Sequence, residues 1–141
     1  MRAFPPILVF LLAIAPALAD VDGFTTPSGN IECAAGIGDG IPSDINCRIF
    51  ERYGPPPVPH LAKCNDALGY EFSMREYGTV TAKCGLPAPP PASRSPDGNA
   101  VRYGGAVKYG GIVCRSSTSG LECRNADGHG FFLSRGRQSV F

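Results

Sequence analysis

The chain has 141 residues with 13 basic and 12 acidic side chains, six cysteines and no tryptophan. A formal charge of +1 excludes the large positive excess that nonspecific attachment to nucleic acid or to an anionic bilayer requires. The length is enough for one domain with a core of its own.

Arg2, the apolar run Ile7 to Ala15, and Ala17-Leu18-Ala19 before Asp20 form the charged start, hydrophobic middle and small-residue cleavage site of a secretory signal peptide. The run is shorter than the ~20 residues that cross a bilayer, and Pro16 ends it. Residues 1–19 are therefore expected to be cleaved near Ala19 without membrane insertion. Residues 20–141 are expected to form a single disulfide-stabilised β domain, secreted or periplasmic.

Pro27-Ser28-Gly29-Asn30 reads as a turn that leads into a strand ending at Cys33. Ala34 to Asp44 is glycine-rich and reads as a loop, after which Ile45, Cys47 and Ile49 alternate with polar or outward positions, the period of a half-buried strand. The proline run Tyr53 to His60 excludes helix and ladder pairing and makes a stiff crossover. One helical turn is predicted within Lys63 to Gly69, then strands at Tyr70 to Met74 and Thr79 to Cys84 around the turn Arg75-Glu76-Tyr77-Gly78. Leu86 to Asn99 carries five prolines, and so long a loop within a compact domain marks a functional candidate. A strand begins at Val101 and Tyr103, breaks at Gly104-Gly105 and resumes at Val107 and Tyr109 before Gly110-Gly111, and the glycine pairs suggest a bulge or a sharply coiled strand. Ile112 to Arg115, Leu121 to Asn125 and Gly130 to Ser134 form a meander, punctuated by Ser116 to Gly120 and by Ala126-Asp127-Gly128-His129. No helical period extends over ten residues. The fold class is all-β, a small barrel or sandwich of about seven or eight short antiparallel strands.

Six cysteines in an exported chain read as three disulfides. The sequential pairing Cys33–Cys47, Cys64–Cys84 and Cys114–Cys123 is preferred because each pair brackets a hairpin or loop, and each bridge contributes about 2–4 kcal/mol. A zinc site would want close C-x-x-C pairs, and none occurs, so neither metal nor other cofactor is expected. The segment Ser28-Gly29-Asn30-Ile31-Glu32-Cys33 is echoed by Ser119-Gly120-Leu121-Glu122-Cys123, either as a duplicated hairpin or as reuse of a common turn. Charge is uneven: residues 20–99 hold 6 basic and 10 acidic groups, residues 100–141 hold 6 and 2. The C-terminal part either presents a basic face to an acidic partner or neutralises the rest of its own domain.

The motifs F-x-T-P-S-G-N-I-x-C from Phe24, V-R-Y-G from Val101, and C-x-S-S-x-S-G-L-x-C-x-N-x-x-G-H-G-F-F-L-S-R from Cys114 together resemble a family of small exported bacterial domains with no assigned function. The similarity runs from Phe24 to Phe141. It implies a secreted, disulfide-bonded domain and brings no activity.

Catalysis finds little support in the residues. A Ser-His-Asp arrangement would use His129 with Asp127 and one of Ser116, Ser117 or Ser119, yet no G-x-S-x-G nucleophile elbow is present. His129 is expected to cap a hairpin turn and pack on Phe131. Bridged cysteines supply no thiolate, and nothing in the spacing selects two of Glu32, Glu51, Glu71, Glu76 and Glu122 as a glycosidase pair. No catalytic residue and no enzymatic activity are expected.

A binding or interaction module of the envelope or extracellular space is the natural reading, since loops on a bridged scaffold are pre-organised for contact. Ser119-Gly120-Leu121, Asp127-Gly128 and Phe131 to Gly136 are similar to the S-G-x-x-Y and F-W-x-K-G pattern of periplasmic inhibitors of c-type lysozyme. That resemblance implies that Ser119 and Arg135 would enter the enzyme cleft; Cys123 in place of the tyrosine and Phe132 in place of the tryptophan depart from it. Ser119, His129 and Arg135 are the candidate partner-binding residues. A cell-wall carbohydrate-binding module is the other alternative, with Tyr53, Tyr70, Tyr77, Tyr103 and Tyr109 as stacking platforms. The partner is thus an unidentified protein or a cell-wall glycan.

Overall fold

The computed structural model describes residues 20–38, 40–94 and 99–141; the expected signal peptide, 1–19, and residues 95–98 of the proline-rich loop lie outside them. Two five-stranded antiparallel sheets pack face to face. The first is the meander β1 (Asp20–Thr25), β2 (Ile31–Gly38), β3 (Ile41–Ile49), β4 (Leu68–Arg75) and β5 (Thr81–Pro87). The second is the meander β6 (Ala106–Tyr109), β7 (Ile112–Ser117), β8 (Gly120–Arg124), β9 (Gly130–Leu133) and β10 (Gln138–Val140). Neither sheet closes on itself, so the architecture is sandwich-like and not a barrel.

Period-two alternation builds the core. Ile31, Cys33 and Ala35 on β2, Ile45, Cys47 and Ile49 on β3, and Tyr70, Phe72 and Met74 on β4 all point inward and are buried. Ile112, Cys114, Leu121, Cys123, Phe131 and Leu133 answer them from the second sheet. Phe72 meets Phe131 at 5.5 Å between ring centroids, and Phe24 stacks on Tyr109 at 6.2 Å. Truncating a buried phenylalanine of this kind costs about 3–5 kcal/mol.

The bridges are Cys33–Cys47, Cys64–Cys84 and Cys114–Cys123. Two of them join residues directly opposite each other in neighbouring strands and lie within the core. The third ties the 3-10 turn Pro59–Lys63 and its following residue to edge strand β5, where His60 Nε2 also lies 2.7 Å from the Ala82 carbonyl oxygen. Together they blunt an edge that would otherwise offer free backbone groups. Three disulfides fit an oxidising extracellular or periplasmic compartment, and no helix among the described residues is long and apolar enough to cross a membrane.

Several sequence expectations are corrected. There are ten strands among the described residues, not seven or eight. The sequence pattern misses β1, in which Phe24 is the single core hydrophobic among the described side chains, and β10, which is only three residues long. The predicted loop Ala34 to Asp44 is instead the β2–β3 hairpin, because ladder pairing and the Asp44 carboxylate, which accepts from Gly36 N at 3.0 Å, hold Gly36 and Gly38 extended, while Gly40, at φ 73°, lies in the turn. The helical turn lies at Pro59–Lys63, ahead of Lys63 to Gly69. Val101 and Tyr103 are not in a strand: the isolated bridge Thr25↔Ala100 ends the pairing, and Gly105 N donates to Arg102 O to close a turn through Tyr103. Gly110-Gly111 is the β6–β7 turn and not a bulge, since Tyr109 and Ile112 pair directly across it. The register shifts occur at Gly36/Gly38 and Leu68/Tyr70.

Candidate functional site: a hydroxyl-lined groove

Because both sheets are meanders, alternate turns collect at opposite ends of the sandwich. At one end the β1–β2, β7–β8 and β9–β10 turns surround a groove of about 290 Å³. Thr26, Ser28, Asn30 and Ile31 line it from the first sheet, Ser117, Thr118, Ser119 and Gly120 from the β7–β8 turn, and Leu133, Ser134 and Arg135 from the end of β9. Tyr103, half exposed, completes it.

The turn chemistry explains why these residues are held there. Ser117 Oγ lies 2.8 Å from Ser119 Oγ, accepts from Ser119 N and donates to Gly120 O, so the β7–β8 turn fixes its own hydroxyls. Ser28 Oγ accepts from Asn30 N in the same manner. Gly120, at φ 149°, lies so close to the Leu133 carbonyl and the Phe132 ring that a Cβ would collide with both. Gly29, at φ 72°, lies directly under the Arg94 carbonyl. Each Ser-Gly pair is thus required by a left-handed conformation and by a close approach. The two echoing segments are both hairpin turns, but their bridges differ. Ser119-Gly120 is the turn of the hairpin that its own disulfide closes, whereas Ser28-Gly29 precedes the hairpin bridged by Cys33 and Cys47.

Charge enters through Glu51. Its Oε2 accepts from Arg135 Nη2 at 3.0 Å and its Oε1 from Arg94 Nη2 at 3.1 Å. The Asn30 side chain grips the Glu51 backbone, accepting from Glu51 N at 2.8 Å and donating to Glu51 O at 2.9 Å. Arg94 is buried, its side chain 8% exposed, and stays beside Glu51; the Arg135 side chain is 53% exposed. Two guanidinium groups share one carboxylate, and the surplus positive charge faces the groove. The Arg135–Glu51 pair also joins the basic C-terminal part to the acidic N-terminal part. As a half-exposed ion pair it contributes only about 0.2–1 kcal/mol.

Of the three residues singled out in the sequence, the structure brings Ser119 and Arg135 to this groove and leaves His129 at the far end. Four steps of β8, about 14 Å at ~3.4 Å per residue, separate Gly120 from Arg124, after which the His129 turn begins. That turn is capped by Asn125 and not by the imidazole. Asn125 Oδ1 accepts from Asp127 N at 3.1 Å and His129 N at 3.0 Å, and the indole-free aromatic face beyond it is Phe131, buried against Phe72. The arrangement of His129 with Ser117 or Ser119 is therefore not assembled.

The tyrosines divide too. Tyr70 and Tyr109 are core residues, 2% and 4% exposed, and cannot be stacking platforms, whereas Tyr53, Tyr77 and Tyr103 are exposed. Burial and the neighbouring Asp22 carboxylate raise the Tyr109 phenol above its ordinary value of 10.0. Asn30, which lines the groove, and Glu51 and Arg94, which stand behind Arg135, are the residues that sequence reasoning missed. Arg94 sits in the proline-rich loop without any pattern, and Glu51 carries no signal beyond being one acid among several.

Comparison with curated proteins and with solved structures finds no match. A family model matches residues 4–141, nearly the whole chain. With its three bridges and its two meanders, the chain belongs to the family of unknown function DUF6636.

Proposed function

We propose that this chain is a non-catalytic binding module of the bacterial envelope or extracellular space, delivered there by residues 1–19, and that the groove at the Ser-Gly turns is its contact surface. One observation carries the reading: turns distant in sequence converge to place hydroxyls, an exposed tyrosine and a half-free guanidinium around a single open depression. Its volume falls near the lower bound of the ~300–1,000 Å³ typical of ligand sites. The disulfides and the glycine-dependent turns hold these groups before any ligand arrives, which lowers the ordering cost of binding.

The test is co-sedimentation of the oxidised protein with purified peptidoglycan sacculi, repeated with Tyr103→Ala and with Thr118→Trp, which fills the groove. Binding that both variants lose supports the reading. Binding unchanged in both places the contact elsewhere.

A second reading, inhibition of a c-type lysozyme, is favoured by the presence of Ser119 and Arg135 on the same groove. It predicts that micromolar oxidised protein slows lysozyme and that Arg135→Ala does not. Full lysozyme activity in the presence of the wild-type protein removes it.

A further inference from the structure

We infer that the ligand of this groove is a carboxylate-bearing sugar, and that Glu51 holds the place of its carboxylate until it binds; the inference rests on the groove being the contact surface. Among the described residues Arg135 is the only guanidinium lining the groove, and one of its Nη groups is engaged by Glu51 Oε2. Glu51 does not depend on that contact. Its backbone is clasped by Asn30, and its other oxygen belongs to the buried Arg94. An incoming carboxylate can therefore take over Arg135 while Glu51 remains paired, and the two guanidinium groups are then matched by two carboxylates. A planar guanidinium offers a fork of donors suited to this exchange.

The sugar part follows from the walls. Thr26, Ser28, Thr118 and Ser119 supply hydroxyls, while Ser117 and Ser134, whose protons go to the Gly120 and Arg137 carbonyls, keep lone pairs that accept; together they offer the mixed donors and acceptors that a pyranose needs. Tyr103 offers an exposed ring to a sugar face. The walls are turns and the ends of β2, β7, β8 and β9, all of which are paired on both sides, so these strands offer no open edge of the kind that an extended peptide pairs with.

The experiment is calorimetric titration of the oxidised full-length secreted protein with oligogalacturonate, with its methyl ester, and with poly-glutamate. Oligogalacturonate is expected to bind about tenfold tighter than the ester, the value of one charge-assisted pair. Arg135→Ala should abolish that difference. Glu51→Gln should tighten oligogalacturonate binding, because the amide oxygen can still accept from Arg94 while Arg135 is released. Thermal melts of both variants check the fold, and Arg135→Lys, which keeps charge but loses the fork, should retain only part of the preference. Equal binding of acid and ester overturns the inference while leaving the groove as the contact surface. Tighter binding of poly-glutamate assigns an acidic peptide instead and overturns it. Weaker binding in Glu51→Gln also contradicts it, as does binding of none of the three probes; groove-dependent binding to sacculi would then still stand by itself.

Discussion

The two ends of the sandwich are built from the same material, tight turns between short strands, and differ in what crosses between the sheets. At the end holding the β4–β5 and β8–β9 turns, side chains reach over. Glu76 accepts from Gly111 N at 2.6 Å and from Ser43 N at 3.3 Å. Asn125 donates to the Arg75 and Gly78 carbonyls at 3.0 and 2.8 Å, and Asp127 accepts from Gly78 N at 2.6 Å. At the groove end, the hydroxyls bond within their own turns, and crossing is confined to one flank, where Glu51 meets Arg135 and Tyr53 N donates to Arg135 O. One end spends its polar groups on holding the sheets together; the other spends them within single turns, on the rim of the groove.

The difference predicts where mutations hurt. Asn125→Ala should be the most damaging polar substitution, destabilising the protein by about 3 kcal/mol in chemical denaturation, since one buried side chain makes four hydrogen bonds to backbone groups of both sheets. Glu76→Ala should cost about 2 kcal/mol, because the lost acceptor served two backbone donors and carried charge. Neither change should alter ligand affinity in the protein that remains folded.

Tyr109, the last residue of β6, gives the closed end a pH signature. Its phenol titrates above 10.0 in the folded protein, so the unfolded chain releases that proton first. Stability should be insensitive to this group below pH 10 and fall as pH rises beyond it, through the folded value. Tyr109→Phe, which keeps the stacking on Phe24, should remove this part of the alkaline loss in denaturation curves measured across that range. At the groove end, Tyr103→Ala should change stability by less than about 0.5 kcal/mol while weakening binding. A large loss of stability there would erase the contrast between the ends.

How much of this was legible in the sequence depends on how local the cause is. The meander from Ile112 to Leu133 announces itself because each strand alternates and each turn has its own glycine or hydroxyl signal. The edge strands do not, since β10 is too short to show a period and β1 owes its conformation to pairing with β2. Ala34 to Asp44 misled for the opposite reason: its glycines suggest one long break, but a neighbouring strand on each side of β2 and β3 keeps Gly36 and Gly38 extended and leaves Gly40 to the turn. Ser119 and Arg135 were recognisable from short motifs. Glu51, the partner of Arg135, and Arg94 and Asn30 behind it come from three separate segments and meet only through the topology, so no spacing rule points to them. That His129 stands apart from Ser119 and Arg135 was not legible, because flanking glycines mark a turn without saying at which end of the sheet that turn falls.

The most direct test of the division between the ends is a titration of the isotope-labelled, oxidised protein with oligogalacturonate, followed by backbone amide NMR shifts. The account predicts changes concentrated at Ser28, Asn30, Tyr103, Ser117 to Gly120, Ser134 and Arg135, with Gly78, Asn125 and His129 unmoved. Changes centred on Gly78 and Asn125 to His129, or no changes at saturating ligand, would contradict it.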